Sequence, residues 1–110
     1  MRPAPTLSPA LALDYLRELS ADIRAGVVLG PDGSHLAGPD ALVAPARDLL
    51  AASAGAQEVH VATPGGAVFA ARSDRHTVVV VCGRLALPSL IRYDLRLVLS
   101  DLAGERPEAA

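Results

Sequence analysis

The sequence predicts an α+β domain, a three-layer α/β/α sandwich around one five-stranded antiparallel sheet, with its elements in the order α-β-β-α-β-β-β-α. Three observations predict it. Stretches with apolar residues at three- and four-residue steps stand near both ends of the chain and once in the middle. Between them lie short apolar or alternating runs, punctuated by turns rich in Gly, Pro and Asp. One such run, Thr77-Val78-Val79-Val80-Val81-Cys82, is apolar on both faces, which a strand tolerates only where both sides of the sheet are covered. That strand is expected at the centre.

The first helix is expected to start at Ser8-Pro9. A serine hydroxyl can accept a free amide of the first turn, and proline at the first helical position loses nothing. Ala12, Tyr15, Leu16, Leu19 and Ile23 then form the apolar stripe of a helix of about four turns. Ala25-Gly26-Val27-Val28-Leu29 reads as a strand, Gly30-Pro31-Asp32-Gly33 as a tight connection and Ser34 to Gly38 as the returning strand. A second helix is expected over Asp40 to Gly55, gathering strength at Pro45 and ending at a left-handed Gly55. Gln57 to Thr63 alternates, with Val59, Val61 and Thr63 on one face and Glu58, His60 and Ala62 on the other, as an edge strand with a wetter face would. Pro64-Gly65-Gly66 turns the chain into Ala67 to Arg72, and Ser73-Asp74-Arg75 turns it into the central strand. The last helix runs from Pro88 to Ala103, with Leu87, Ile91, Leu95, Val98 and Leu102 in one stripe and Arg92, Arg96 and Ser100 opposite. Residues 1 to 7 are expected to be a flexible leader, 8 to 103 the single domain and 104 to 110 a disordered tail.

Composition narrows the function. The chain has 110 residues, 10 basic and 12 acidic, a net charge of −2, and 51% hydrophobic against 3% aromatic residues. Its basic residues are all Arg and are scattered, and rings to stack on bases are scarce, so nucleic acid is not an expected partner. No apolar run reaches the roughly 18 residues of a membrane span. The single Cys82 excludes an internal disulfide and fits a reducing compartment, so a cytoplasmic protein is expected.

No catalytic, cofactor or metal site is expected. His35, His60 and His76 are assigned to three different strands, and none forms a spaced ligand pair. There is no Gly-x-Ser-x-Gly elbow, no Gly-x-Gly-x-x-Gly and no Walker sequence, so the glycines read as turn residues. The middle helix asks for something else. Over residues 41 to 56 its only charges are Arg47 and Asp48, and it is apolar over more than one sheet face requires, with small residues that permit close helix approach. One reading is a helix simply well covered by its own sheet; the favoured one is a homodimer, in which two copies pack their middle helices and join edge strands across a two-fold, through Leu42, Val43, Ala46, Leu49, Leu50, Ser53, Val59, His60 and Val61.

The chain resembles the roadblock/dynein light-chain family, whose bacterial branch includes regulators of small Ras-like GTPases. The resemblance spans about residues 10 to 103. It lies in the segment Arg24 to Gly33 with its Asp-Gly turn, in Val59-His60-Val61-Ala62-Thr63-Pro64-Gly65-Gly66, and in Leu90-Ile91-Arg92 opening the last helix. It implies a roadblock/profilin-like fold with the middle helix on one face of the sheet and the other two helices on the opposite face. It also implies a homodimer that scaffolds or regulates a small GTPase by binding, with no catalytic group of its own. Ala21-Asp22-Ile23 departs from the Pro-Gly-Val-like approach to the first strand. The alternative function is a small-molecule sensor of profilin-like or PAS-like shape, which requires a pocket between the sheet and the last helix.

Overall fold

The computed structural model describes residues 7–53 and 55–103. Most of the expected leader and all of the expected tail lie outside the described residues. Helix α1 spans Pro9–Leu19, strand β1 Ile23–Leu29 and strand β2 His35–Ala37. A 3₁₀ turn at Asp40–Leu42 leads into helix α2, Val43–Ala52. Strands β3 (Glu58–Thr63), β4 (Gly66–Arg72) and β5 (Thr77–Gly83) follow, then helix α3, Pro88–Ala103. The sheet order is β2-β1-β5-β4-β3, and every neighbouring pair is antiparallel.

The central place of β5 follows from its two apolar faces. Val78 and Val80 point into a core with Val28, Phe69, Ala12 and Leu16 of α1, and Ile91, Leu95 and Val98 of α3. Val79 points the other way, into a second core with Val27, Leu29, Ala70 and the α2 residues Val43 and Ala46. Helices α1 and α3 thus cover one face and α2 the other. Along β4 and β5 successive buried residues alternate between the two cores, as the period of two requires, whereas in β1 a register shift between Ile23 and Ala25 puts Ile23 in the first core and Val27 in the second.

Local chemistry sets the boundaries. Ser8 Oγ accepts from Leu11 N at 3.2 Å, the expected cap, which stabilises the helix by about 1 kcal/mol. The first helix is a turn shorter than its stripe predicts. Ser20 leaves helical geometry at φ −142° and ψ 120°, and Ile23 opens β1 instead of closing the helix. At the β1–β2 turn, Asp32 Oδ1 accepts from Ser34 N at 3.0 Å, and Gly33 takes φ +82°, which a side chain would strain. Gly38, at φ +99°, lies so close to the backbone of Gly26 and Val27 that a Cβ there would collide with it. The second helix ends at Ala52, before the expected boundary; Gly55 is left-handed, but three residues beyond the last helical one. His76 sits in the turn before β5, and so only His35 and His60 lie on strands.

Candidate functional site

The two faces of the sheet are covered unequally. Helix α3 is 16 residues long and α1 adds 11 beside it, whereas α2 has 10 residues and lies across β1 and its neighbours. On the α2 side, the outer parts of β3, β4 and β5 are left with Val61, Val68 and Val81 facing away from the larger core. Between them and Leu42, Pro45 and Leu49 runs an apolar groove with Ala46 and Val79 at its floor, holding about 490 Å³ of space partly open to solvent. Val61 at its rim is 40% exposed.

The groove continues into the edge of the sheet. Among the described residues no strand lies beyond β3, which pairs with β4 in an unbroken register from Glu58–Ala71 to Thr63–Gly66. The strand is held from two directions. Arg96 Nε lies 2.9 Å from Glu58 Oε2 and Arg92 Nε 3.9 Å from Oε1, which ties the edge to α3. Arg72 Nε donates to Ala56 O at 2.7 Å and its Nη2 to Ser53 O at 3.3 Å, so the corner between α2 and β3 is clamped to the end of β4.

The expected interface residues divide into four groups. Leu42, Leu49, Leu50 and Val59 are half-buried around the groove and the second core, and Val61 is exposed. Val43 and Ala46 are 8% and 3% exposed and lie down on the sheet, so their side chains support the face from beneath without forming its surface. His60 belongs to the opposite face, where its ring stacks on Phe69 with centroids 4.3 Å apart and planes 16° apart. Ser53 closes α2 and gives its carbonyl to Arg72. Pro45, Val68 and Val81 are groove residues that the sequence reading missed. Val68 and Val81 follow from Val61 once the strands are paired, since Val61 stands opposite Val68 and Val68 opposite Val81.

Nothing else in the described residues gathers reactive groups. No group of three His, Cys, Asp or Glu side chains there could hold a metal ion. His35 spends Nε2 on Gly38 O at 2.8 Å and sets Nδ1 3.6 Å from Asp40 Oδ1. Burial pushes the Cys82 thiol up to about 11, with the charge of Asp22 adding to the rise, which removes its nucleophilic form at neutral pH. The α3 side of the sheet, where a sensor would need its cavity, is packed with Phe69, Ile91, Leu95 and Val98. No described helix is long and apolar enough to cross a membrane.

No protein-family model matches the chain, and no curated protein matches it. Solved structures do. A Roadblock/LC7 domain from Streptomyces avermitilis aligns with a TM-score of 0.71 at 17% identity, over 84% of this chain and 92% of that chain. The gliding protein MglB from Thermus thermophilus aligns at 0.70 with 15% identity, over 84% and 83%. MglC from Myxococcus xanthus aligns at 0.65 with 17% identity, over 86% and 96%. With three helices packed two against one on a five-stranded antiparallel sheet, this chain has the Roadblock/LC7 fold.

Proposed function

We propose that this chain is a non-enzymatic homodimeric module that regulates or scaffolds a small Ras-like GTPase. One observation carries the reading: an apolar groove lies beside a strand edge that is unpaired among the described residues, and a second copy would cover both at once. A likeness in fold to Roadblock/LC7 domains, MglB and MglC supports it, as does the resemblance in sequence to the GTPase-regulating branch of that family. An MglB structure with a tetrameric arrangement is in keeping with self-association.

In the dimer, Leu49 and Leu50 of α2, with Leu42 just before the helix and Ser53 just after it, face their counterparts, and Val59 and Val61 continue the contact along β3. Val43 and Ala46 hold the helix at its height on the sheet. The paired helices then form a broad, rigid ledge, and the GTPase docks on that ledge. The protein contributes shape and position, and any change in nucleotide turnover comes from holding the GTPase in one conformation. Light scattering at micromolar concentration tests the dimer, with twice the 11.3 kDa chain mass expected. A small Ras-like GTPase from the same source, loaded in turn with GDP and a GTP analogue, is expected to bind the dimer in one nucleotide state more tightly. Leu49→Asp or Leu50→Asp is expected to abolish that binding. A monomer, or binding that survives both substitutions, contradicts the proposal.

A further inference from the structure

We infer that the second copy joins β3 in one register only, with His60 on the two-fold axis; the inference rests on the dimer proposed above and names the residues that meet in it. Arg72 N donates to Gln57 O at 2.9 Å, and these two residues stand opposite each other in the register that pairs Glu58 with Ala71. Hydrogen-bonded and non-hydrogen-bonded pairs alternate along an antiparallel ladder. Val59, Val61 and Thr63 therefore turn their backbone groups inward to β4, and Glu58, His60 and Ala62 turn theirs to the open edge.

That edge is closed at both ends. Beyond Glu58 the next outward residue is Ala56, whose N–H already donates to Ser53 O at 2.9 Å and whose carbonyl accepts from Arg72 Nε at 2.7 Å. Beyond Ala62 it is Pro64, which has no N–H and whose carbonyl accepts from Arg84 Nη2 at 3.3 Å. Three residues centred on His60 remain for another strand.

A two-fold axis between antiparallel edges stands perpendicular to the sheet, so each face meets its own copy. With the axis at His60, Glu58 lies opposite Ala62 of the second copy and His60 opposite His60, and every outward N–H and C=O is used. An axis at Val59 drives Ala62 against the occupied Ala56. An axis at Val61 drives Glu58 against Pro64. Side chains favour the same register. On the α2 face Val59 meets Val61 of the copy twice, whereas an axis at Val59 would set Val61 against Gln57. On the other face the His60 ring already lies on Phe69, and across a strand spacing of about 4.8 Å the two copies extend this to a stack of four rings. Glu58, drawn toward α3 by Arg96, meets an alanine and not its own twin.

Cysteine cross-linking tests this. Residues opposed in a hydrogen-bonded pair have Cα atoms about 5.5 Å apart, inside the disulfide range, while Val59 and its own copy would be about 8 Å apart. Under mild oxidation His60→Cys is expected to form a covalent dimer about tenfold faster than Val59→Cys or Val61→Cys alone. An equimolar mixture of Val59→Cys and Val61→Cys is expected to cross-link as a mixed pair, which keeps the test independent of the His60 substitution. Cys82 is buried and stays out of the reaction. If the protein is dimeric by light scattering but Val59→Cys or Val61→Cys alone links faster, or no variant links, the register is wrong and the dimer stands. If the unsubstituted protein is monomeric, the dimer falls and the register falls with it.

Discussion

Replacing Val61 with lysine tests whether the α2 face is covered in solution. Val61 is 40% exposed in the single chain. Complete burial of a valine side chain contributes about 1.5–3 kcal/mol, so covering the exposed part contributes about 1 kcal/mol in each copy and about 2 kcal/mol in the dimer, roughly 30-fold in dissociation constant. The ammonium group must also stay hydrated, which bars the lysine from the groove that the valine lined. The separate chain should tolerate the change, because lysine is a common residue on exposed strand edges and its long side chain can reach solvent from there. Sedimentation across a concentration series measures the dissociation constant, and circular dichroism confirms that Val61→Lys remains folded. A folded Val61→Lys protein that dimerises as tightly as the unsubstituted one refutes the reasoning.

Four further outcomes are expected. Arg72→Ala removes two charge-assisted bonds to Ala56 O and Ser53 O and should lower stability by about 1.5–3 kcal/mol in denaturant titration, with hydrogen exchange rising first around the corner between α2 and β3. Burial raises the Asp94 carboxyl above its ordinary value, so its stabilising contribution is full below pH 3.8 and is lost as pH rises through the raised value; Asp94→Asn should raise the melting temperature at neutral pH and flatten that slope. His76 is shifted the other way, by burial first and by the charge of Arg75 second, so its contribution is present above the ordinary histidine value of 6.5 and is lost as pH falls through the lowered one. Its Nδ1 is buried with no hydrogen-bond partner among the described residues, and His76→Leu should therefore be tolerated and should remove the acid-side loss seen in melting curves. Cys82, with its thiol raised to about 11, should resist a thiol reagent in the folded protein at pH 8 and react at once in denaturant.

Most of the fold is legible in the sequence because hydrophobic periods report directly on neighbours. Strand β5 is the clearest case: the unbroken run from Val78 to Val81 leaves no wet face, and that places it in the middle of the sheet. Ile23 shows where periodicity fails. It fits the helical stripe set by Leu16 and Leu19, and it fits equally the alternation of Ala25 and Val27; the change of backbone at Ser20 decides between them, and no spacing of apolar residues encodes it. The candidate interface is legible in outline only. A helix apolar on most of its circumference does not say which side lies down, so Val43 and Ala46 could not be told from Leu42 and Leu49. His60 illustrates the opposite case, since the alternation that puts it with Glu58 also sets it across the sheet from Val59 and Val61. Val68 and Val81 required the strand pairing, a long-range fact.

The two edges of the sheet explain why association would be selective. Strand β2 has three residues, its register with β1 shifts between Val28 and Leu29, and Gly38 and Pro39 follow it at once. Such an edge is too short and too irregular to template another strand. Strand β3 has six residues in unbroken register, and the chain entering it is fixed by Arg72 while its first residue, Glu58, is anchored to Arg96. An edge that is rigid, apolar on one face and limited to three outward residues recognises a strand of matching length and rejects longer, unrelated ones. The same features that expose β3 to aggregation therefore restrict what can add to it, and its own copy satisfies every restriction.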